Sequence, residues 1–164
     1  MEPYRKRRWR MGQSVNRLGF YTCARPGRSL GSMQPVKAAI VREWVNGLPG
    51  PRTAIISLLG HKPDGKSEFS YYPFSGKGDS PSEAGAKPPF ADWLAIYCPD
   101  RDVAVVEHPT TDFRPIADDT LERIATDVQR LLEERRTIVL VDSGGETRTG
   151  KVCRYLGLVE DSRN

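Results

Sequence analysis

The sequence predicts an α/β fold in which a central, mostly parallel sheet is flanked by helices. Short, continuous apolar runs at 53–59, 102–107 and 138–141 are typical of strands that are buried on both faces. Between them lie segments 90–97 and 119–135, whose patterns favour helices. Alternating strands and helices indicate a parallel sheet, and ligands bind such sheets beyond the carboxyl ends of the strands.

The elements follow in chain order. Residues 38–45 form a short apolar segment that a Gly/Pro-rich stretch closes. Residues 61–90 are rich in Gly, Pro and Ser and predict a long surface loop. Its aromatic patch at 69–74 indicates an edge strand with half-buried rings, or alternatively the frame of a cleft for a flat group.

The clearest helix signal follows that loop and the next strand. Asp119 and Glu122 have capping-box spacing, and Arg135 with Arg136 suits the negative end of the helix dipole. A strand over 138–141, a turn at 142–145 and a helix from about Thr149 are predicted next.

Composition limits the chemistry. The chain has 164 residues, enough for one domain, and no apolar run approaches the ~18 residues of a membrane helix. Cys23, Cys98 and Cys153 form no CxxC pair, so neither a disulfide framework nor a zinc cluster is expected. We predict no metal site and no cofactor. His61 and His108 are expected to be ordinary loop or packed histidines.

The positive charge is concentrated at the N-terminus. Residues 1–32 hold eight Lys and Arg against one acid, Glu2, whereas residues 33–164 are slightly acidic. This predicts a basic, disordered arm at 1–32 and a domain at 33–164. The arm is open to four interpretations: a solvated tail, a contact with nucleic acid or anionic membrane, an organelle presequence, or a mistaken start codon. The predicted location is cytoplasmic, or an organelle if the arm is a presequence.

The stretch VDSGGETRTGKV at 141–152 matches three motifs. The Asp-Ser-Gly-Gly of a serine protease lacks its partner segments, and a GxxxxGK nucleotide loop should be followed by Ser or Thr rather than Val152. The third motif fits best, because turn amides at a helix N-terminus, together with Arg148, make a cradle for a tetrahedral anion.

On these residues the sequence resembles the cysteine-dependent protein tyrosine and dual-specificity phosphatases, whose signature is HCxxGxxR[ST]. Gly145, Arg148 and Thr149 match it, and Asp112 lies 30 positions before Asp142, where the compact dual-specificity members carry their general acid. The resemblance implies a phosphatase-like domain with its phosphate-binding loop between the last strand and a helix. It also implies a general acid at Asp112, a phosphate clamp at Arg148, a supporting Thr149, and a loop made of Ser143, Gly144, Gly145, Glu146 and Thr147.

The sequence departs from the family at its most important position. Asp142 stands where the family has the nucleophilic cysteine, and Val141 stands where it has histidine. Because a thiolate is the attacking group in that chemistry, we expect a catalytically degenerate phosphatase. Two alternatives stay open: an active phosphomonoester hydrolase that uses Asp142, and a nucleic-acid-associated protein that acts through its basic arm. The expected ligand is a phosphorylated protein or a small phosphomonoester.

Overall fold

A computed structural model of the chain describes residues 6–11, 19–28, 35–74 and 88–161. Six strands and four helices are formed by these residues. The strands are β1 Arg7–Met11, β2 Phe20–Ala24, β3 Arg52–Ser57, β4 Asp102–Glu107, β5 Thr137–Asp142 and β6 Leu158–Glu160. The helices are α1 Ala38–Asn46, α2 Phe90–Tyr97, α3 Asp118–Glu133 and α4 Thr147–Tyr155.

The six strands form one sheet in the order β4-β3-β5-β2-β1-β6. The pairs β4/β3, β3/β5 and β5/β2 are parallel, whereas β1 is antiparallel to both β2 and β6. The predicted α/β class with a mostly parallel central sheet is therefore confirmed. The short strand β6, which follows α4, was not predicted.

Apolar side chains cover both faces of the sheet. Along β3 and β5, Ile55 and Val139 pack on one face with α1 and α2, while Ile56 and Leu140 pack on the other face with α3 and α4. This alternation explains why the strands read as continuous apolar runs rather than as alternating ones. None of the helices among the described residues is long and apolar enough to span a membrane.

The prediction of a disordered arm at 1–32, ending at a domain boundary, is wrong for the residues that the structure describes. Residues 7–11 and 20–24 are strands of the central sheet, and β2 lies directly beside β5. Trp9 is buried, and its indole N–H donates to Thr22 Oγ1 at 3.1 Å. One buried ring among arginines is too little apolar signal to predict a strand. Residues 1–5, 12–18 and 29–34 lie outside the described residues.

The aromatic patch at 69–74 is not an edge strand with half-buried rings. Residues 69–74 form turns, and Phe69, Tyr72 and Phe74 are fully buried in the core beside α2. Phe74 stacks on Phe90, with ring centroids 4.2 Å apart. Residues 67–74 of the predicted surface loop are therefore largely packed against the core, whereas 63–66 are exposed and 75–87 lie outside the described residues.

Helix α3 begins at Asp118 rather than after Asp119, so the predicted capping box is wrong. Ala117 is at the N-cap position, and no side chain bonds to the first turn as a cap. Asp118 and Asp119 still lie in the first turn, where their charge favours the positive end of the helix dipole. Helix α4 begins at Thr147, two residues before its predicted start.

Candidate phosphate-type site

The candidate site lies beyond the carboxyl ends of the parallel strands. Strand β5 ends at Asp142, a four-residue loop follows, and α4 begins at Thr147. The loop turns at Gly145, which has φ +73° and passes so close to β2 that a Cβ would collide with the backbone of Cys23 and Ala24. Only glycine fits both the conformation and the space, so the chain can bring the loop amides over the strand end.

The side chain of Asp142 points into this loop and is buried. Its Oδ1 accepts a hydrogen bond from the Gly145 N–H, and its Oδ2 accepts one from the Thr149 N–H at 2.9 Å. Two amides of the predicted anion cradle therefore already bind a carboxylate that belongs to the chain. Both bonds are charge-assisted, and α4 presents the positive end of its dipole to the same carboxylate.

Arg148 is fully buried beneath the loop and forms a two-pronged ion pair. Its Nη1 and Nη2 each donate to one carboxylate oxygen of Glu68, both at 2.8 Å. The side chains of Arg148 and Glu68 are only 2% and 1% exposed. Glu68 also accepts the Gly60 N–H at 2.9 Å, so its carboxylate has partners from two segments, α4 and the loop after β3.

The other contacts of Arg148 tie together the loops that follow β3 and β4. Nη1 also donates to the carbonyl oxygen of Leu58 at 3.2 Å and to Thr110 Oγ1 at 3.1 Å. Burial acts to lower the pKa of Arg148, but the hydrogen bonds and charge of Glu68, with Asp112 and Asp142 nearby, outweigh it and raise that pKa. Arg148 is therefore a permanently charged junction between three loops.

Asp112 is close to this junction, as its spacing in the sequence suggested. Its Oδ1 lies 3.5 Å from Arg148 Nη2 and accepts the Phe113 N–H at 3.1 Å. Phe113 has φ +62°, which is rare for an aromatic residue, and its ring is 81% exposed. This backbone conformation holds an apolar ring at the mouth of the cleft described next.

A cleft of about 210 Å³ opens above the loop. It brings together most of the residues that the sequence singled out; its lining consists of Arg28, Asp112, Phe113, Asp142, Ser143, Gly144, Glu146, Thr147 and Arg148. Two predicted residues do not line it. Gly145 packs against β2, and Thr149 is buried below the loop, where its Oγ1 has no hydrogen-bond partner among the described residues. The catalytic roles that the resemblance implies for these residues stay predictions.

The balance of charge in the cleft is acidic. Asp112, Asp142 and Glu146 contribute three carboxylates against the guanidinium groups of Arg28 and Arg148. Glu146 is also bound by Arg7 of β1, with 2.7 Å between Oε1 and Nη2. The strand predicted to be a free arm thus reaches the candidate site.

None of the three cysteines lines the cleft. Cys23, Cys98 and Cys153 are all buried free thiols. Burial raises the pKa of Cys153 to about 12, an effect that the charge of Arg154 only partly offsets. At neutral pH this thiol is protonated and inert.

Sequence reasoning missed three charged residues around the loop. Glu68 lies in a stretch that reads as a surface loop, while Arg25 and Arg28 lie in the stretch that reads as a basic arm. Arg25 Nε donates to Ser143 Oγ at 3.3 Å. A signal for Arg25 and Arg28 does exist, because both lie within four residues after the run FYTCA, which forms β2.

No protein-family model matches this sequence, and no curated protein matches it. One similarity to a solved structure is found. The chain is similar to a crystal structure of Tk-PTP in a glycine-to-alanine mutant form, at 13% identity and with a TM-score of 0.49. The match covers 89% of this chain and 72% of that one.

Proposed function

We propose that this chain is a phosphatase-fold protein related to the protein tyrosine and dual-specificity phosphatases, and that it is catalytically degenerate. The observation that carries the proposal is the position of Asp142. Its carboxylate accepts hydrogen bonds from the amide of Gly145 in the loop and the amide of Thr149 in the first turn of α4, on which an incoming anion would depend. The chain has the strand–loop–helix arrangement of an anion cradle, and the anion that the amides bind is the carboxylate of its own Asp142.

Charge repulsion supports this proposal. A phosphate dianion over the loop would lie next to the Asp142 carboxylate, with Asp112 and Glu146 on the same cleft wall. Like charges about 4 Å apart repel by about 4 kcal/mol at the effective dielectric of a protein surface. Arg148 is charged, but Glu68 already balances that charge at 2.8 Å. Weak phosphate binding is the expected consequence.

The chemistry of the nucleophile supports it as well. Hydrolysis through a covalent intermediate needs a group that is free to attack phosphorus. Both oxygens of Asp142 accept hydrogen bonds from the loop, and the thiol of Cys153 is buried and protonated. A degenerate protein of this kind would act by binding, through the cleft or through a surface beside it. The expected partner is a phosphorylated protein or a small phosphomonoester bound weakly.

Hydrolysis of an aryl phosphate tests the proposal. We compare the parent protein with Asp142→Cys and Asp142→Asn, each checked for native folding by circular dichroism. The parent and Asp142→Asn should show no turnover above the buffer rate. Asp142→Cys places a thiolate at the base of the cradle and should gain turnover that an alkylating reagent removes.

The outcomes separate the alternatives. Turnover by the parent that Asp142→Asn abolishes contradicts degeneracy and supports an active hydrolase using Asp142. If Asp142→Cys also fails to bind orthovanadate, a tetrahedral phosphate analogue, the cradle itself is contradicted. Arg148→Lys in the Asp142→Cys background is the matched control, because it keeps the charge but loses the two-pronged geometry.

A further inference from the structure

Arg25 is a buried cation that the proposed function does not use. Among the described residues, four charged side chains are buried; these are Arg25, Glu68, Asp142 and Arg148. Glu68 and Arg148 form a mutual ion pair, and Asp142 is bound by loop amides. Arg25 is 5% exposed and, within the described part of the chain, has no carboxylate at ion-pair distance. A buried charge without a counter-charge is costly, so its environment favours an anion.

The partners that the described residues supply to Arg25 are neutral, and they hold its guanidinium in a fixed position. Nη1 donates to the Tyr72 hydroxyl at 3.0 Å and reaches the Pro26 carbonyl oxygen at 3.5 Å, while Nε donates to Ser143 Oγ at 3.3 Å. The guanidinium also lies over the Tyr72 ring, 5.9 Å from its centroid. Its orientation is therefore set before any ligand arrives, which reduces the entropy lost on binding.

A small pocket opens beside Arg25, separate from the main cleft. Its lining consists of Arg25, Lys62, Ser67, Glu68, Tyr71 and Tyr72. Its enclosed space is about 10 Å³, close to the minimum for one water-sized atom. A single oxygen of a larger group fits this space, and the remainder of that group would stay at the open mouth.

The charges around this pocket favour an anion there. Arg25 and Lys62 are cations from two different segments, and both line the pocket. Glu68 is the carboxylate in its wall, but both of its oxygens bind Arg148 at 2.8 Å. The pair formed by Glu68 and Arg148 is neutral as a unit, so the two lining cations dominate.

We infer that this pocket is a binding site for an oxyanion, with one oxygen between Arg25 and Lys62. The site is distinct from the loop at 143–146, and the inference stands whether or not the chain hydrolyses phosphate esters. Arg25 Nε also holds Ser143, which lines the main cleft. An oxyanion bound by this guanidinium would therefore be linked to Ser143 of the cleft through a single side chain.

Calorimetric titration of the full chain with inorganic phosphate tests the inference, with chloride at the same ionic strength as the control. Phosphate should bind at a single site with millimolar or tighter affinity. Arg25→Gln should weaken it about tenfold or more, since it removes a charged hydrogen-bond donor. Lys62→Gln should weaken binding severalfold. Lys66→Gln, an exposed lysine four residues away that does not line the pocket, should leave it unchanged.

Two more measurements make the outcome decisive. The Nε–H signal of Arg25 in a heteronuclear NMR spectrum should shift on adding phosphate. If Arg25→Gln does not fold, Lys62→Gln is the variant that tests the pocket. Arg28→Gln removes the exposed arginine of the main cleft. Binding that depends on Arg28 but not on Lys62 locates phosphate in the cleft and overturns the inference. Absence of saturable binding, or equal binding of chloride, overturns it too.

Discussion

Arginine–carboxylate networks lie at both ends of the parallel strands. We call the side where these strands begin the amino edge and the side where they end the carboxyl edge, and the two networks differ in burial. At the amino edge, Asp102 binds Arg136 at 2.9 Å and Arg52 at 3.2 Å, and its side chain is half exposed. At the carboxyl edge, Arg148 binds Glu68 at 2.8 Å, and both side chains are almost fully buried. The pair distances are similar, so burial is the variable that separates the two networks.

The difference shows how the same chemistry serves two purposes. Water screens the amino-edge network, so each of its pairs contributes little to stability. At the carboxyl edge, low exposure makes each charge dependent on its partner, because a charge left alone there has no water to solvate it. The carboxyl edge therefore fixes the geometry of the cleft loops, whereas the amino edge can lose a partner with little effect.

The largest expected effect is that of Glu68→Gln. The substitution leaves the buried Arg148 charge without a counter-charge and should lower the free energy of unfolding by about 3–5 kcal/mol. Urea denaturation followed by circular dichroism measures it. The matched control is Glu134→Gln. Glu134 is exposed at the C-terminal end of α3 and pairs with Arg130 at 3.0 Å, so its substitution should lower the free energy of unfolding by less than about 1 kcal/mol.

A double variant strengthens that comparison. If the cost of Glu68→Gln comes from an orphaned charge, adding Arg148→Gln should recover part of it, with a coupling energy of about 0.5–3 kcal/mol. Strictly additive losses at these two positions would show that the pair is no more coupled than the surface network.

Gly145→Ala should have an intermediate effect at the carboxyl edge. Its φ of +73° and its contact with the β2 backbone predict a loss of about 1–3 kcal/mol in unfolding free energy, and more if β2 has to shift. Gly144→Ala is the control next to it, since a Cβ there meets no atom within 4 Å. Thermal and chemical unfolding of the two variants should differ clearly, and equal stabilities would contradict the predicted close approach.

The smallest effect belongs to the amino edge and depends on pH. Hydrogen bonding to Arg136, together with the charges of Arg136 and Arg52, holds the pKa of Asp102 below its ordinary value of 3.8. A lowered pKa in the folded state means that the stabilisation is present above the ordinary value and is lost as pH falls through the folded value. Asp102→Asn should therefore change the free energy of unfolding slightly at neutral pH. It should also make the decline of that free energy at acidic pH less steep.

High salt should remove most of the difference between the parent protein and Asp102→Asn, because exposed charges are screened. The matching experiment on Glu68→Gln should show little dependence on salt. A salt response of the same size at both positions would mean that burial does not separate the two edges.

The sequence was most informative where apolar patterning and backbone chemistry agree. Strand β4 and helix α2 have the bounds that their apolar runs predicted, 102–107 and 90–97. Asp112 and Arg148, which the resemblance to the phosphatase signature singled out, lie 3.5 Å apart. These features depend on local composition and on the general rule that loops meet at the carboxyl edge of a parallel sheet.

Features that depend on distant partners could not be predicted from the sequence. Arg7 looks like part of a solvated tail until β6 and the loop at 143–146 supply its carboxylate partners, Glu160 and Glu146. Glu68 lies among Gly, Pro and Ser residues, and nothing in its neighbourhood indicates that Arg148, 80 positions away, neutralises it. A buried ion pair produces no periodic pattern of apolar residues in the sequence. Each of its two charged residues is equally compatible with an exposed loop.

The place of β2 in the sheet has a consequence for biosynthesis. Phe20 of β2 pairs with Ile138 of β5, across more than a hundred intervening residues. On the ribosome β2 is made more than a hundred residues before its parallel neighbour β5, and pairing over such a separation is slow. Phe20 and Cys23, both buried in the finished sheet, stay uncovered by β5 throughout that interval. Until the residues of β5 have been made, the nascent chain therefore exposes apolar segments of the kind that promote aggregation.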